Sequence, residues 1–407
     1  MAKIHPADAE AMRILELQKN NADRTRSRDG ILIIITALFI AVFAVLIWLL
    51  PHKPFSEDEN RTLQEFPKFS LEALTEGEYT ADIGSFYSDQ FPARRFFVGL
   101  KSVAELGQLK MQNNSVIPAS GGRLVKRLEY ESLDAAEKNL DAIEDFEELL
   151  ATKEISTTTV IAPRSTDIFA DFVHPLYSRD RTDKIWSLIN ESGLSDLSLV
   201  EPLKKEENNG GYVWYKTDHH WTTDGAYLAY TLLADELNYS PMPTEFFKPT
   251  TVSEEFYGTT WSSSGMPWTA PDEMKLYRFE DDEAYVVENM ITGEVMQGFY
   301  DTSKLETKDK YSTFLGGNQA YVKVYAPTAI GEKPKLLVVK DSFAHSLAPF
   351  LALHYELHIV DLRYYTESTA KLALSIDADR VLILVGADTL ATSTDLTLLR
   401  YGLGSIE

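Results

Sequence analysis

One apolar run near the start of the chain restricts its fold more than any other feature. From Ile31 to Leu50 the only polar groups are the hydroxyl of Thr36 and the indole nitrogen of Trp48. A helix of this length and composition matches the hydrocarbon core of a bilayer, which takes about 20 apolar residues to cross. The sequence therefore predicts a transmembrane helix.

Charges on either side of this run predict its orientation. Basic residues precede it and acidic residues soon follow it: Arg24, Arg26 and Arg28, then Glu57, Asp58, Glu59 and Glu65. This asymmetry predicts a cytoplasmic N-terminus and an extracytoplasmic body. A cleaved signal peptide is the alternative, but the run is long for one, and no small residues mark a cleavage position after it. We expect a cytoplasmic tail over residues 1–29, an anchor over 30–50, a linker over 51–70 and an extracytoplasmic domain over 71–407.

The composition excludes several classes of function. The chain of 407 residues has a formal net charge of -23 and contains no cysteine. Because a chain with this net charge is not expected to present a broad basic face to the phosphates of nucleic acid, no nucleic-acid partner is expected. Disulfides, thiolate nucleophiles and cysteine metal sites are excluded.

Alternating strand and helix patterns predict an α/β fold for the body. Apolar residues spaced three and four apart predict a helix from residue 133 to 150, and a β-branched run predicts a strand at 157–162. Further strands are expected at 336–339, 357–360 and 381–385, with helices at 343–353 and 368–374 between them. This order favours a largely parallel sheet with helices on both faces. Residues 275–300 are expected to form a small antiparallel insertion.

The segment around Asp218 and His220 is a candidate for acid–base chemistry. It precedes a helix that Thr222 or Thr223 is expected to cap. Residues two apart in an extended stretch point the same way, so Asp218 could orient the ring of His220 while His219 points elsewhere. His220 would then act as a general base. A metal site formed by Asp218, His219 and His220, or a purely structural loop, are the alternatives.

Ser342 follows a predicted strand and precedes a predicted helix. A hydroxyl at such a turn lies near helix N-terminal amides, which stabilise developing negative charge. Ser342 is therefore a candidate nucleophile, and its alternative role is to cap the helix.

Two other segments are candidates for supporting roles. Gly317 and Asn318 end a glycine turn that could donate to an oxyanion, although most such turns are structural. The aromatic residues Trp221, Tyr257 and Trp261 could contact a sugar, the last two within a stretch rich in hydroxyl side chains. A packed surface loop is the alternative for that stretch.

Several separate segments together resemble the bacterial DHHW protein family, which is related to alginate O-acetylation proteins in the SGNH-hydrolase-like superfamily. They are Glu59-Asn60-Arg61-Thr62-Leu63, Phe66-Pro67, Asp89-Gln90-Phe91-Pro92-Ala93-Arg94, Asp218-His219-His220-Trp221, Phe256-Tyr257-Gly258-Thr259, Asp309-Lys310-Tyr311, Phe314-Leu315-Gly316-Gly317-Asn318 and Lys340-Asp341-Ser342-Phe343. The resemblance implies an SGNH-hydrolase-like fold in which Asp218 orients the base His220 and Ser342 is the nucleophile. It also implies an oxyanion role for Gly317 and Asn318. Lys340 stands where glycine is usual in the superfamily, which puts the backbone geometry of the turn in question.

The resemblance further implies a function. It predicts an extracytoplasmic serine O-acyltransferase that passes an acyl group, expected to be acetyl, from a membrane-bound O-acyltransferase to an exported or cell-wall polysaccharide, without a metal or other cofactor. The alternatives are a polysaccharide acetylesterase and a non-catalytic protein that binds polysaccharide or acts as a scaffold.

Overall fold

The computed structural model describes residues 6–56, 61–177, 180–194, 197–327 and 333–406. Its helices are α1 Pro6–Leu49, α2 Leu71–Glu76, α3 Glu78–Asp89, α4 Arg94–Gly107, α5 Asp134–Thr152, α6 Ser165–Ile168, α7 Asp180–Ser192, α8 Val200–Asn208, α9 Thr223–Leu232, α10 Ala234–Leu237, α11 Thr259–Ser264, α12 Ala344–Leu351, α13 Thr369–Ser375 and α14 Ala387–Thr392. Its strands are β1 Phe55–Ser56, β2 Arg61–Thr62, β3 Val116–Pro118, β4 Leu124–Lys126, β5 Ser156–Ala162, β6 Lys248–Phe256, β7 Asp272–Arg278, β8 Val286–Asn289, β9 Val295–Gln297, β10 Tyr321–Tyr325, β11 Lys335–Lys340, β12 Glu356–Val360 and β13 Arg380–Gly386.

The chain divides into two compact units. The first comprises residues up to Ser56 together with Arg61–Val98, and the second begins at Gly99 and holds the large sheet. Within the described residues, α1 contains the one stretch that is long and apolar enough to cross a membrane, Ser27–Leu49, with a mean hydropathy of 3.2.

A mixed sheet of seven strands organises the second unit, in the order β5-β13-β11-β12-β10-β8-β9. Strands β5, β13, β11 and β12 run parallel to one another. Strands β10, β8 and β9 continue the sheet in antiparallel pairs. The α/β prediction is thus confirmed, but the expected parallel sheet accounts for only one side of it.

Residues 275–300 do not form one separate insertion. Strand β7 pairs with β6 in a two-stranded sheet of its own, whereas β8 and β9 extend the central sheet through β10. Short antiparallel strands carry little sequence signal of which neighbour they join, because the pairing is decided by tertiary packing.

Helices cover the central sheet on both faces. Because successive side chains of a strand point to opposite faces, each central strand contributes to two cores. In β11, Leu336 and Val338 pack into one core with residues of α9 and α12. Leu337 and Val339 pack into a second core with residues of α5 and α13. The central strands are therefore buried on both faces, which explains their continuous apolar sequences.

The predicted helices and strands of this core are present. The predicted stripe on α5 is buried from Ala136 to Leu150. Thr222 caps α9, with its hydroxyl accepting from the backbone N–H of Gly225 at 3.1 Å. The chain leaves β11 at Lys340 and enters α12 at Ala344, so Ser342 lies at the carboxyl end of a central strand, where open α/β sheets commonly bind ligands.

Candidate active site

The carboxylate of Asp341 shapes the turn that carries Ser342. Its Oδ1 accepts from the backbone N–H of Phe343 at 3.0 Å, and its Oδ2 accepts from the N–H of Gly386 at 2.6 Å and the hydroxyl of Thr389 at 2.7 Å. Burial raises the pKa of Asp341, and these hydrogen bonds oppose that rise. The turn is therefore tied to the carboxyl end of the neighbouring strand β13.

Lys340 does not disturb the backbone of this turn. It is the last residue of β11 and is not among the residues with positive φ, so the position does not require glycine. The geometry questioned from the sequence is ordinary extended backbone.

A short hairpin presents the other half of the site. Trp214 and Trp221 pair across it, and the N–H of Tyr215 donates to the carbonyl of His220 at 3.2 Å. Asp218 and His220 consequently lie near the tip of the hairpin, ahead of α9. Both side chains are almost completely buried.

Asp218 is held from two sides. Its Oδ1 accepts from His220 Nδ1 at 2.5 Å and from the His220 backbone N–H at 3.0 Å. Its Oδ2 accepts from the backbone N–H of Thr259 at 2.7 Å and from the Thr259 hydroxyl at 3.1 Å. Gly258 is required beside it, because a Cβ there would lie 2.2 Å from the Asp218 Cβ.

The two halves meet at one hydrogen bond. His220 Nε2 lies 2.6 Å from Ser342 Oγ, although the residues are 122 positions apart in the chain. A carboxylate can only accept, so His220 Nδ1 carries the proton toward Asp218, and neutral Nε2 accepts from the serine hydroxyl. Ser342 itself is partly exposed. The arrangement gives a hydroxyl, an aligned base and a carboxylate that fixes the tautomer of the base.

Aromatic packing fixes the imidazole of His220. The ring of Tyr311 stacks on it with centroids 4.0 Å apart and planes 4° apart, and the ring of Phe343 meets its edge at 5.1 Å. The hydroxyl of Ser346 on α12 lies 3.0 Å from the Tyr311 hydroxyl and accepts from Trp221 Nε1 at 2.9 Å. The hairpin and α12 are thereby joined beside the site.

Charges around Asp218 favour its ionised form. Burial alone would raise the pKa of Asp218, but the imidazoles of His219 and His220 and the hydrogen bonds to His220 and Thr259 outweigh it and hold that pKa well below its usual range. Burial, with a smaller contribution from His220, lowers the pKa of His219 to about 4. At neutral pH Asp218 is therefore charged and His219 is neutral.

Candidate ligand atoms of Asp218, His219 and His220 lie within 4.8 Å of one another, so distance alone would permit a metal. Most of their hydrogen-bonding atoms already have protein partners, however. His220 uses both ring nitrogens, and His219 Nδ1 lies 2.6 Å from the Thr259 hydroxyl. Binding a metal through His220 would break its hydrogen bond to either Asp218 or Ser342.

A buried charged network lies directly behind the turn, and sequence reasoning missed it. Lys340 Nζ lies 2.7 Å from His345 Nε2 and 2.8 Å from Asp361 Oδ2. Arg363 donates to both oxygens of Asp361, from Nε at 2.8 Å and from a terminal nitrogen at 2.5 Å. Asp361 immediately follows β12, the neighbour of β11. Its place at the carboxyl edge of the sheet is the sequence signal that could have indicated a residue near the site.

The predicted oxyanion residues belong to a glycine turn with positive φ. Gly317 has φ of 90°, and a Cβ there would lie 2.9 Å from the Ser312 hydroxyl. Asn318 is exposed, and its Oδ1 accepts from Arg363 at 3.1 Å. Arg363 thereby links this turn to Asp361, and the oxyanion role of Gly317 and Asn318 stays a prediction.

The three aromatic residues predicted to contact substrate differ in accessibility. Trp221 is fully buried and Trp261 is only 6% exposed, so packing occupies nearly all of their surface. Tyr257 is partly exposed and packs on Trp261 with ring centroids 4.4 Å apart. Lys308 Nζ lies 4.1 Å from the Trp261 ring centroid. Of the three, Tyr257 alone offers substantial accessible surface, and its role stays a prediction.

The fold and site define an α/β protein in which an aspartate, a histidine and a serine are joined in one line at the carboxyl edge of the sheet. The model of the family described as "DHHW protein" matches residues 185–360, a range that contains all three residues. The resemblance to DHHW proteins and to alginate O-acetylation proteins, predicted from the sequence, is confirmed.

Among curated proteins, the chain is similar to the probable alginate O-acetylase AlgJ of Pseudomonas syringae pv. tomato, with 22% identity over 179 residues. That match covers 41% of this chain and 46% of AlgJ, so the chain aligns with less than half of its relative.

Two solved structures are similar in fold. A DHHW family protein from Eubacterium siraeum has a TM-score of 0.56 and 19% identity, covering 70% of this chain and 95% of its own. PatB1 of Bacillus cereus has a TM-score of 0.57 and 17% identity, covering 69% of this chain and 98% of its own. At such identities the likeness establishes the fold alone.

Proposed function

We propose that this protein is a membrane-anchored, extracytoplasmic serine O-acyltransferase that acetylates a polysaccharide. The hydrogen bond of 2.6 Å between His220 Nε2 and Ser342 Oγ carries the proposal, because it pairs a partly exposed hydroxyl with an aligned base. The name of the curated relative, an alginate O-acetylase, supports acetyl transfer to a polysaccharide.

In the first half of the proposed reaction, Ser342 Oγ attacks the carbonyl carbon of the acyl donor. His220 Nε2 takes the serine proton as the new C–O bond forms, and ionised Asp218 stabilises the resulting imidazolium. The tetrahedral intermediate then expels the donor's oxygen, which receives the proton from His220. An acetyl ester on Ser342 remains.

In the second half, a sugar hydroxyl takes the place of the departed donor. His220 removes its proton while its oxygen attacks the acetyl carbonyl, and collapse returns the proton to Ser342 Oγ. If water entered instead, the same steps would make the protein an acetylesterase. Acceptor identity therefore distinguishes transfer from hydrolysis.

The developing oxyanion needs hydrogen-bond donors that do not already donate to another group. The N–H of Phe343 donates to Asp341 and is unavailable for this purpose. We assign the role to the turn of Gly317 and Asn318. Arg363 binds the oxygen of the Asn318 amide, which leaves its nitrogen as the outward donor.

The setting follows from the apolar stretch in α1. Its length and hydropathy support a single membrane span, with the N-terminus in the cytoplasm and the body outside. A membrane-bound O-acyltransferase is the proposed source of the acyl group, because an extracytoplasmic serine needs an acyl donor from across the membrane.

The test is turnover of an activated acetyl ester by the purified full chain, with and without oligosaccharide. Replacement Ser342→Ala should reduce turnover by about 10³-fold or more, because it removes the nucleophile. Ser346→Ala is the matched control, since this serine is four residues away and its hydroxyl contacts Trp221 and Tyr311. Undiminished turnover by Ser342→Ala would refute the assignment.

Acetylated oligosaccharide as the product would support transfer, whereas release of acetate alone would favour the esterase. Binding of polysaccharide without any ester turnover, persisting after loss of Ser342 and His220, would support a scaffold. Metal analysis completes the test, because a stoichiometric transition metal would favour the metal site instead.

A further inference from the structure

The first unit places aromatic residues at two levels along the apolar stretch of α1. At the upper level, the ring of Trp48 lies 5.5 Å from that of Phe66, 6.0 Å from that of Phe86 and 6.5 Å from that of Tyr87. Trp48, Phe66 and Tyr87 are all at least 38% exposed. Tryptophan and tyrosine are typical of the level where a bilayer meets water.

At the lower level, the start of α4 and the residues just before it lie against the middle of the apolar stretch. Phe91 stacks on Phe43 with centroids 4.9 Å apart and planes 2° apart. Phe97 lies 5.6 Å from Phe43 and 6.1 Å from Phe39. Its neighbour Phe96 is 66% exposed.

The positions of these contacts along α1 give their depth in a bilayer. Phe43 and Phe39 precede Trp48 by five and nine residues, which at 1.5 Å per residue is about 7 and 14 Å along the helix. One leaflet of a hydrocarbon core is about 15 Å thick. If Trp48 lies at the outer interface, Phe91 and Phe97 lie at the depth of the outer leaflet.

The segment from residue 51 onward is fastened to this unit. Gln90 exchanges two hydrogen bonds with the backbone of Lys53, at 3.1 and 2.9 Å. Arg61 forms a paired hydrogen bond with Asp89, at 2.9 and 2.5 Å. These contacts fix α3 to the chain that leaves α1, so the phenylalanines after α3 remain beside the apolar stretch.

We propose that the outer leaflet of a phospholipid bilayer covers this aromatic collar, defined as Phe66, Tyr87, Phe91, Phe96 and Phe97. The inference rests on the membrane span of the proposed function. Whatever surrounds α1 at Phe43 must also surround the rings packed against it, and transfer of an exposed phenylalanine from water to an apolar medium is favourable.

The absence of cysteine allows a direct test. Single cysteines replace Phe96, Ile40 and Ser88 in the full chain, each carrying an environment-sensitive fluorophore, after reconstitution into phosphatidylcholine–phosphatidylglycerol vesicles. Ile40 reports the apolar stretch. Ser88 is exposed on α3, about 200° around the helix from the buried Phe86, and reports the aqueous surface. Circular dichroism and ester turnover check that each labelled protein is folded.

We expect the label at position 96 to resemble that at 40, with a blue-shifted emission, quenching by doxyl-labelled lipid and protection from iodide. The label at 88 should show the opposite. A label at 96 that iodide quenches as strongly as the label at 88 would overturn the proposal while leaving the span intact.

Two further outcomes also overturn the collar. Protection of position 96 from both quenchers would mean that protein, such as a second copy, covers it. A water-exposed label at position 40 would remove the span on which the collar rests. Ester turnover dependent on Ser342 would survive either result, so failure of the collar is distinguishable from failure of the proposed chemistry.

Discussion

Two buried imidazoles near the ring of Tyr311 have opposite partners. His220 lies 4.0 Å from that ring and bonds a carboxylate through one nitrogen and a serine hydroxyl through the other. His345 lies 6.4 Å from it and bonds the ammonium group of Lys340. Burial and the charge of Lys340 hold the pKa of His345 well below its usual range.

The difference shows that the partner of a histidine decides its chemistry. A carboxylate on Nδ1 leaves Nε2 of His220 as a proton acceptor aimed at Ser342, and in the proposed reaction it would stabilise the imidazolium. An ammonium on Nε2 fixes His345 as a neutral acceptor that cannot take a proton without losing this bond. We therefore assign proton transfer to His220 and a positioning role to His345.

Reversing the polarity of the Asp218 contact should have the largest effect. In Asp218→Asn the amide can donate to His220 Nδ1, which would put the ring proton on Nε2 and remove the acceptor for Ser342. We expect kcat for ester turnover to fall by about 10³-fold. Asp141→Asn, which changes an exposed carboxylate on α5, should leave kcat unchanged. Equal kcat values in the two variants would mean that Asp218 does not orient the base.

Removal of the Lys340 charge should act mainly on stability. Lys340→Met leaves Asp361 buried with Arg363 as its remaining cation, and we expect a loss of about 3 kcal/mol in the free energy of unfolding. Chemical denaturation measures it, with the exposed Lys138→Met as the control. If Lys340→Met instead leaves stability intact and abolishes turnover, Lys340 is part of the reaction and the contrast between the two histidines fails.

A smaller effect is expected from His219, through pH. Its folded pKa of about 4 lies below the value of about 6.5 in an unfolded chain. Between these values the unfolded state binds a proton that the folded state does not, so stability falls as pH drops through this window. We therefore expect the fall in the unfolding midpoint from pH 7 to pH 4.5 to be smaller in His219→Gln than in the unsubstituted protein. The exposed His174→Gln should retain it, and identical pH profiles for both variants would contradict the shift.

The smallest effect is expected from the Tyr311 hydroxyl. Tyr311→Phe keeps the ring stacked on His220 and removes only the contact with Ser346, which retains its bond from Trp221. We expect a loss of about 1 kcal/mol in stability and less than tenfold in kcat. Tyr311→Ala should lower kcat further, because the imidazole loses its support. If both variants have the same kcat, the stacking does not position His220.

The same comparison separates what the sequence reveals from what it hides. Asp218, His220 and Ser342 were predictable as a group because strand–helix patterns, the two-residue alternation and the family resemblance apply to them. Their contact at 2.6 Å required the fold. The network around His345 joins Lys340 at the end of β11, His345 in α12 and Asp361 just after β12, and no local pattern links these three positions.

Burial and sheet direction were likewise hidden. Trp221 belongs to the Asp218-His219-His220-Trp221 motif, yet its indole is buried and donates to Ser346. The sequence could not indicate this burial. The continuous apolar runs predicted the parallel half of the sheet, whereas the short strands β8 and β9 depend on the β10 edge for their pairing.

The most direct measurement is to map a covalent adduct on the full chain. The probes are a sulfonyl fluoride and an activated acetyl ester, because both acylate or sulfonylate a serine hydroxyl that an adjacent base activates. Peptide mass spectrometry should find both groups on Ser342 and not on Ser346, with labelling strongly slowed in His220→Ala. Equal labelling of the two serines, or labelling of Ser342 that is unaffected by loss of His220, would contradict the account.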